Sequence, residues 1–326
     1  MSSVKVSVVI TTMNRPVEFE VALASVLSQD YDNYEVIVVI DGGTSSVEQY
    51  SDIMLAYTER VTFYPLGDSK RGHGPSFARN VGIEHCSGDY IGFLDDDDVW
   101  TDTNHLSRFV AFNIENNYYP NTLDIYFSHQ RAILPNGNIT PTTVWIEDLI
   151  DTVFSEDTEA KEVDVNTLLS SKGFPHLNCV LINRNLANRI GGFDESLRYE
   201  EDRDFYYRAI DVAEKISLSP HFIGEHYIPH KRSSVSSAHS MRQKYHQQLQ
   251  SAIKLQATIS NKLIVTHVRK SASYTCIAMA EQLIKNRLYK AAFTFIKMSI
   301  AFKISFGAAN ALLKLLTRTS GNNEQQ

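Results

Sequence analysis

Residues 90–100, YIGFLDDDDVW, place four consecutive aspartates (95–98) directly after an apolar segment. Like charges at the end of a buried strand are costly unless something positive compensates them. Upstream, residues 4–10 (VKVSVVI) and 34–40 (YEVIVVI) are β-branched runs, typical of parallel strands buried on both faces. Helical patterns lie between these runs. The sequence therefore predicts an α/β domain with a mainly parallel sheet.

Other elements of this domain follow from shorter patterns. Pro16 opens a helical pattern, and a second helix is predicted over residues 76–86. Further strands are predicted at residues 61–64 and 90–94. Segments 124–134 and 138–144 flank Pro-Asn-Gly, which predicts a hairpin.

The composition, 43% hydrophobic and 21% charged, is ordinary for a soluble globular protein. Three cysteines lie far apart without a CxxC pair, which argues against a disulfide framework or a structural zinc site and suits a reducing cytosol. No signal-peptide pattern and no uncharged apolar run of about 18 residues is present. We expect a cytoplasmic protein, either soluble or at the inner face of the plasma membrane.

Charge is distributed unevenly along the chain. Residues 241–318 contain 13 Lys and Arg and one acid, Glu281, whereas the whole chain has a net charge of −7. The same region contains one glycine and no proline, and Ala, Leu, Ile, Lys and Gln dominate, which predicts two to four helices. An acidic body and a basic helical region suggest two regions with different partners.

Polar residues fall where three predicted strands end. They are residues 11–14 (TTMN), Asp41 and the run 95–98. In open parallel sheets, ligands collect outside the carboxyl ends of the strands. Clustered carboxylates there suit Mg²⁺ or Mn²⁺, which in turn prefer phosphate oxygens. A solvated acidic loop is the alternative, whereas the spacing does not fit an EF-hand.

Four segments, in order, carry a family resemblance. They are VSVVITTMNRP (6–16), VIVVIDGGT (36–44), ARNVGIEHCSGDYIGFLDDDDVW (78–100) and GGFDESLRYEEDRDFYYRAI (191–210). Over roughly residues 4–237, the chain resembles the inverting family 2 glycosyltransferases of the GT-A fold. The third segment is similar to the family's ARN helix and FLDxDD signature, and the fourth to its GGFDE segment and EDxD motif.

The resemblance implies a Rossmann-like mixed, mainly parallel sheet flanked by helices, followed by a smaller all-helical region. Residues 1–238 would form the GT-A catalytic domain, with a nucleotide-sugar half (1–119) and an acceptor half (120–238). Residues 239–318 would be the basic helical region, and residues 319–326 a frayed tail.

The resemblance also assigns roles to individual residues. The catalytic base would be Asp202. Mn²⁺ or Mg²⁺ would bind Asp97, with Asp95 and His230. His230 matches a family histidine better than His226 does, although a surface or packing role is the alternative for either. The nucleotide-sugar would contact Thr11, Met13, Asp41, Arg79, Asp95 and Asp96, and supporting roles would fall to Asp98, Glu201, Asp204 and Arg232.

The implied reaction explains the need for these groups. A nucleotide-diphosphate leaving group develops negative charge, which a divalent ion neutralises. The acceptor hydroxyl needs a general base on the opposite face of the sugar, and one back-face displacement inverts the anomeric configuration. Burial in an acidic site would raise the pKa of Asp202 into a useful range. A helix-surface salt-bridge cluster is the alternative for residues 200–204, and Glu201 or Asp204 would orient the base or pair with Arg203 and Arg208.

The resemblance thus implies a hexosyltransferase-like enzyme that uses a nucleotide-diphospho-sugar, above all a UDP-sugar. The acceptor would be a glycan or lipid-linked saccharide in bacterial surface polysaccharide assembly. Alternatives are a silent nucleotide-sugar binding or scaffold protein and a sugar-phosphate nucleotidyltransferase, although the latter's glycine-rich basic turn is absent. Residues 241–318 would contact a membrane or form a homo-oligomer, and nucleic acid is not expected as a partner.

Overall fold

The protein is described from a computed structural model. Two compact units are present, Met1–Lys231 and Arg232–Gln326. The predicted boundary between residues 238 and 239 lies in a stretch outside the described residues and stays a prediction. The structure describes residues 4–42, 46–67, 69, 72–118, 122–140, 145–154, 159–228 and 240–323.

Strands and helices alternate through the first half of the first unit. The strands in its described residues are β1 (Val6–Thr12), β2 (Tyr34–Ile40), β3 (Val61–Pro65), β4 (Tyr90–Asp95), β5 (Asp98–Trp100), β6 (Ile125–Ile133), β7 (Lys161–Glu162), β8 (Val180–Asn183) and β9 (Ile216–Tyr227). The α-helices are α1 (Pro16–Leu27), α2 (Ser46–Gln49), α3 (Ser51–Tyr57), α4 (Pro75–His85), α5 (His105–Glu115), α6 (Ile150–Val153), α7 (Val165–Ser170), α8 (Arg184–Arg189) and α9 (Glu201–Val212), and two 3₁₀ helices span Glu147–Leu149 and Leu177–Cys179.

All nine strands belong to one sheet in the order β3-β2-β1-β4-β8-β6-β9-β5, with β7 paired to β9. The pairings β1–β2, β1–β4, β2–β3 and β6–β9 are parallel and long, whereas the antiparallel pairings are short. This confirms the predicted mixed, mainly parallel sheet. In the register, Thr12 lies beside Ile40 and Thr11 beside Asp95. Strands β1, β2 and β4 therefore end at the same edge.

The predicted helix starts are confirmed within one residue. α1 begins at Pro16 and α4 at Pro75, where the missing N–H of proline costs no intrahelical bond. Each start follows a backbone turn at positive φ: Asn14 has φ 58° and Gly74 has φ 106°. Asparagine and glycine tolerate this region better than other residues.

The predicted hairpin is present as far as the described residues reach, since the N–H of Thr140 donates to the carbonyl of Ala132 (2.9 Å). The N–H of Leu134 donates to the carbonyl of Asn138 (2.8 Å), and Ile133 bridges Ile139. Residues 141–144 of the return arm lie outside the described residues. The long pairing of β6 is with β9, from Ile125 beside Ile216 to Ile133 beside Tyr227.

Helix α4 packs closely on strand β1 because it carries a glycine at the contact. A Cβ added at Gly82 would lie 2.4 Å from Cγ1 of Val9, a fully buried core residue. Only a residue without a side chain fits at this position, so Gly82 permits the close packing. This contact sets the distance between α4, which carries Arg79, and the sheet edge.

We expect Gly82→Ala to lower the free energy of unfolding by about 1–3 kcal/mol, since overpacking forces Val9 or the helix to move. Urea denaturation measures it, with Glu84→Ala on the exposed side of the same helix as the control. In a double-mutant cycle with Val9→Ala, the combined loss should be smaller than the sum of the single losses. Additive losses would mean that the Gly82–Val9 contact is not the cause.

The second unit is all-helical in its described residues, and four helices confirm the prediction of two to four. Ser240 and Gln243 form a capping box at the start of the first of them. A small apolar cluster joins the last three helices through Ala280, Ile284, Ala292, Ile296, Ala311 and Leu315. The helices are α10 (Met241–Thr258), α11 (Lys262–Lys285), α12 (Tyr289–Phe302) and α13 (Phe306–Asn323).

Within the described part of the chain, none of the helices combines the length and the apolar character needed to cross a membrane. The three cysteines, Cys86, Cys179 and Cys276, are free and buried.

A buried histidine beside the acidic run makes the first unit sensitive to acid. His105, the first residue of α5, is 2% exposed, and its ring lies edge-on to Trp100 at 4.8 Å. Burial lowers the pKa of His105 to about 3. Between pH 6.5 and 3, the unfolded chain therefore binds a proton at His105 that the folded chain does not, and stability is lost as the pH falls.

We expect His105→Gln to reduce the dependence of the free energy of unfolding on pH between pH 6 and 4. One proton corresponds to at most about 1.4 kcal/mol per pH unit. Denaturation at several pH values measures the slope, with exposed His246→Gln as the control. Equal slopes in wild type and His105→Gln would contradict the assignment.

Candidate active site

Every aspartate of the run 95–98 has a positively charged or titratable partner from elsewhere in the chain. Nη1 of Arg15 lies 3.1 Å from Oδ1 of Asp96 and 2.7 Å from Oδ2 of Asp97. The other two partners are Arg79 for Asp95 (2.8 Å) and His226 for Asp98 (2.8 Å). The sequence predicts a bound metal as the compensating charge; the structure shows that three side chains of the protein also provide compensation.

The four carboxylates differ in proton affinity because their surroundings differ. Burial raises the pKa of Asp96 to about 7 and that of Asp98 to about 6. The pKa of Asp97 is also raised, by burial and by the charge of Asp95. Burial opposes ionisation of Asp95 as well, but Arg79 outweighs it and the pKa is lowered. Asp95 therefore stays a carboxylate most readily.

Asp98 is fully buried and is held by three donors. Its Oδ2 is 2.8 Å from Nδ1 of His226 and accepts from Nδ2 of Asn178 (2.5 Å), and its Oδ1 accepts from the N–H of Tyr227 (3.0 Å). Strand β5, which begins at Asp98, pairs with β9 at His226, and this pairing brings the two side chains together. Asp98 thus ties the acidic run to β9.

Two histidines and Asp98 form a group of metal-ligand type. One ligand atom each from Asp98, His176 and His226 lie within 4.8 Å of one another. Burial lowers the pKa of His176 to about 3, so its ring is neutral at neutral pH. Burial would also lower the pKa of His226, but the hydrogen bond and charge of Asp98 raise it.

This group differs from the predicted set of metal ligands, which is Asp95, Asp97 and His230. Asp98 belongs to it, whereas the sequence predicts a supporting role for that residue. Asp95 lies next to the group, with its Oδ2 3.9 Å from Nε2 of His176. Asp97 contacts Arg15 instead. The predicted ligand His230 and the predicted supporting residue Arg232 lie outside the described residues.

Helix α9 presents its acidic first turn to the same site. Arg79 donates to Oδ1 of Asp95 (2.8 Å) and to Oε1 of Glu201 (3.2 Å), so one guanidinium joins the acidic run to α9. Asp202 lies next to Glu201. Burial raises the pKa of Asp202, the direction expected for the base, and it raises the pKa of Glu201 to about 7. Glu200 has φ 74°, a left-handed conformation uncommon for this residue type, where α9 begins.

The remaining ion pairs of α9 support the fold. The predicted pairing of Asp204 with Arg208 is present at 2.7 Å, and Arg208 donates in turn to the carbonyls of Ile190 and Gly192. Arg203 pairs with Glu200 at 3.2 Å. Glu201 instead pairs with Arg79 of α4, and its expected alternative role, orienting the base, stays a prediction.

The end of β2 is joined to a loop that the sequence analysis did not connect with it. Asp41 is buried, its Oδ1 accepts from the N–H of His73 (2.7 Å), and its Oδ2 accepts from the N–H of Gly74 (2.9 Å). Nδ1 of the His73 ring also lies 2.9 Å from Oδ1 of Asp41. Thr11 is half-buried at the end of β1, and the N–H of Met13 approaches Asp96 at 3.4 Å.

One family model matches part of the first unit. Residues 7–140 match the model described as "Glycosyl transferase family 2". This part of the chain is therefore similar to glycosyl transferase family 2. It contains β1, β2, β4 and the acidic run, but not α9.

Curated relatives are glycosyltransferases as well. An uncharacterized glycosyltransferase of Rickettsia typhi is 29% identical over 217 residues, which cover 64% of this chain and 59% of the relative. A Campylobacter jejuni protein, named GalNAc(5)-diNAcBac-PP-undecaprenol beta-1,3-glucosyltransferase, is 32% identical over 94 residues, covering 29% of this chain and 30% of the relative. This chain spans between 16% and 59% of the length of the first five curated relatives it matches.

Two solved structures share the fold. TarS residues 1–349 of S. aureus, in complex with UDP-GlcNAc, superpose with a TM-score of 0.68 at 20% identity, covering 99% of this chain and 92% of that one. The mannosyltransferase PcManGT of Pyrobaculum calidifontis, in complex with GDP-Man and Mn²⁺, gives a TM-score of 0.57 at 16% identity, with 100% and 82% coverage. The chain thus has the predicted GT-A fold.

Sequence reasoning missed several residues of the candidate site. Arg15 directly follows residues 11–14 (TTMN) at the end of β1. Four adjacent aspartates need positive charge nearby, and this requirement could have pointed to Arg15. His176 and Asn178 lie just before β8, in and next to the short 3₁₀ helix Leu177–Cys179. No periodic signal marks either one, because their partners are about 80 residues away.

Asn178 holds both ends of the acidic run. Its Oδ1 accepts from the N–H of Asp95 (2.9 Å), and its Nδ2 donates to Asp98 (2.5 Å) and to Oε1 of Gln130 (3.1 Å). Its own carbonyl accepts from the indole N–H of Trp100 (3.1 Å). The side chain is inaccessible to solvent, so no water replaces it readily. Asn178 is therefore a positioning residue for the acidic run.

We expect Asn178→Ala to lower the free energy of unfolding by about 2–4 kcal/mol, because the Asp95 N–H and Asp98 each lose a buried partner. Urea denaturation measures the loss. Asn178→Asp should be at least as harmful at neutral pH, since it places a further carboxylate against Asp98. Exposed Asn116→Ala is the control, and a loss no larger than in that variant would contradict the role.

Proposed function

We propose that this protein is a metal-dependent, inverting hexosyltransferase. It moves a sugar from a nucleotide-diphospho-sugar, above all a UDP-sugar, to a hydroxyl of a glycan or lipid-linked saccharide in bacterial surface polysaccharide assembly. The observation that carries the proposal is the Arg79 bridge between Asp95 and Glu201. It joins the predicted donor-binding edge of the sheet to the helix that carries the predicted base.

The donor proposal rests on the sheet edge and on the relatives. Asp41, the residues after β1 and the acidic run meet where strands β1, β2 and β4 end, the usual place for a nucleotide in an open parallel sheet. TarS was crystallised with UDP-GlcNAc and PcManGT with GDP-Man. The first of these has the higher TM-score and supports UDP as the nucleotide.

The acceptor proposal rests on fewer observations. The Campylobacter jejuni relative is named as a glucosyltransferase that acts on an undecaprenyl-diphosphate-linked saccharide. A related acceptor would place the reaction at the inner face of the plasma membrane. We therefore propose a lipid-linked saccharide, with a free glycan of the same sugars as the alternative acceptor.

The residues present fit a divalent cation. Carboxylate oxygens and imidazole nitrogens are the donor types that Mn²⁺ accepts, and Asp98, His176 and His226 offer such atoms within 4.8 Å of one another. A carboxylate that holds one ring nitrogen of a histidine orients the other nitrogen toward a metal, and Asp98 contacts Nδ1 of His226 in this way. When bound, the cation would neutralise charge on the diphosphate leaving group.

The protein's own residues then have separate tasks. Arg79 and Arg15 keep Asp95, Asp96 and Asp97 ordered around the donor. Asp202 accepts the proton of the acceptor hydroxyl as the sugar is transferred, and its raised pKa brings the base closer to neutral pH. Glu201, held by Arg79, fixes the first turn of α9 and so the position of Asp202.

We expect metal-dependent release of nucleotide from one donor of a UDP-, GDP- and dTDP-sugar panel. Mn²⁺ or Mg²⁺ should support turnover, and EDTA should abolish it. Asp202→Asn should lower kcat by about 10²–10⁴-fold with little change in donor binding, because general-base catalysis contributes about that much. Nucleotide release measures turnover, and thermal shift with nucleotide and metal measures binding.

Asp151→Asn, the same change on the exposed surface, is the control and should retain full activity. A donor of α configuration should yield a β-linked product, which proton NMR of the product detects. Retention of the α configuration would exclude the inverting mechanism. Stabilisation by nucleotide and metal without turnover, for every donor and acceptor, would favour the silent binding protein instead. No response to any nucleotide would contradict the proposal as a whole.

A further inference from the structure

The turn between α12 and α13 exposes the two most accessible large apolar side chains of the described residues. Ile304 is 84% exposed and Phe306 is 88% exposed. Scattered single apolar residues are normal on protein surfaces, but two large ones side by side at a helical turn are not. We call Lys303, Ile304 and Phe306, with Arg269 beside them, the tip.

The tip continues into exposed apolar positions on both helices. On α12, Phe293 and Ile300 are exposed and seven residues apart, which places them on one face with Ile304 following. On α13, Leu313 and Leu316 follow Phe306 at helical spacing and are also exposed. Each helix therefore carries an uncovered apolar strip that reaches the tip.

Cations flank these apolar side chains. Nε and Nη2 of Arg269 donate to the carbonyls of Phe302 (2.9 Å) and Ala301 (3.0 Å), which fixes this guanidinium at the end of α12. Exposed Lys303 precedes Ile304, and Nζ of Lys297 lies 5.2 Å above the ring of Phe293. The sole acid of residues 241–318, Glu281, is paired with Lys314 at 2.5 Å. Around the tip, apolar bulk and positive charge thus occur together.

The charge decides which partner fits. A second copy bound through the same surface would place the tip against itself and bring arginine and lysine against arginine and lysine. An anionic bilayer instead offers hydrocarbon for Ile304 and Phe306 and phosphates for the surrounding cations. Lysine and arginine side chains reach the headgroups while their aliphatic stems stay beside the apolar residues.

We propose that the tip binds the surface of an anionic phospholipid bilayer, with Ile304 and Phe306 inserted below the headgroups. This inference goes beyond the proposed function and does not depend on it, since binding needs neither donor nor metal. The bound protein would hold its sugar-transferring unit at a membrane surface. Such binding is reversible, because one apolar tip is far weaker than a spanning helix.

Co-sedimentation of the full chain with vesicles tests the proposal. The vesicles are phosphatidylcholine with phosphatidylglycerol, and pure phosphatidylcholine for comparison. We expect binding to the anionic vesicles that weakens with salt, because headgroup attraction is screened. Ile304→Ser with Phe306→Ser should lower the partition coefficient about tenfold or more, and Lys303→Gln with Lys297→Gln by roughly fivefold or more.

A matched control removes equally exposed apolar side chains from the first unit. Val17 is 73% exposed and Leu55 is 79% exposed, and Val17→Ser with Leu55→Ser should leave vesicle binding unchanged. A second readout uses Phe306→Trp, since the two native tryptophans, Trp100 and Trp145, are buried in the first unit. Its emission should shift to shorter wavelength with anionic vesicles only.

Three outcomes would overturn the proposal. The wild-type chain would fail to bind anionic vesicles, or the tip variant would bind as well as wild type, or the control variant would lose as much binding as the tip variant. Sedimentation velocity adds a fourth: a dimer that the tip variant dissociates, without vesicle binding, would assign the surface to a second copy. Donor turnover is measured separately, without lipid. Failure of vesicle binding can therefore be told apart from failure of the proposed function.

Discussion

The electrostatic compensation of four consecutive aspartates is the constraint on which the site depends. The four carboxylates at positions 95–98 share three partners from different parts of the chain: Arg15 after β1, Arg79 on α4 and His226 on β9. Buried carboxylates without such partners would take up protons still more readily and cease to attract a cation. The fold, which brings these three segments together, therefore lowers the cost of ionising the acidic run, and it does so most effectively at Asp95, whose pKa is lowered.

Much of the fold could be predicted from local sequence. Strands β1 and β2 are continuous β-branched runs, and Pro16 and Pro75 mark helix starts, so each signal lies within the element it predicts. β9 was not predicted, because Pro220 interrupts its pattern and a proline is unfavourable inside a strand. Its place in the sheet comes from the long pairing with β6, which is a tertiary contact.

The site could be predicted less completely, for the same reason. Asp41, Asp95 and Asp202 lie at strand ends or in a recognisable motif, and Arg79 joins Asp95 to Glu201, the neighbour of Asp202 in the chain. His176, Asn178 and His226 act through partners about 80 to 130 residues away, and no spacing rule connects them. The pairing of β5 with β9, which brings His226 to Asp98, likewise has no local signal in the sequence.

The shared guanidinium of Arg79 has a thermodynamic consequence. A cation that approaches Asp95 competes with Arg79 for the same carboxylate, and Arg79 then interacts more strongly with Glu201, whose pKa is about 7. Thermodynamic linkage makes this effect reciprocal. If a cation bound at Asp95 changes the proton affinity of Glu201 by some factor, protonation of Glu201 changes the cation affinity at Asp95 by the same factor. The two sides of the site, on β4 and on α9, are therefore coupled through one side chain.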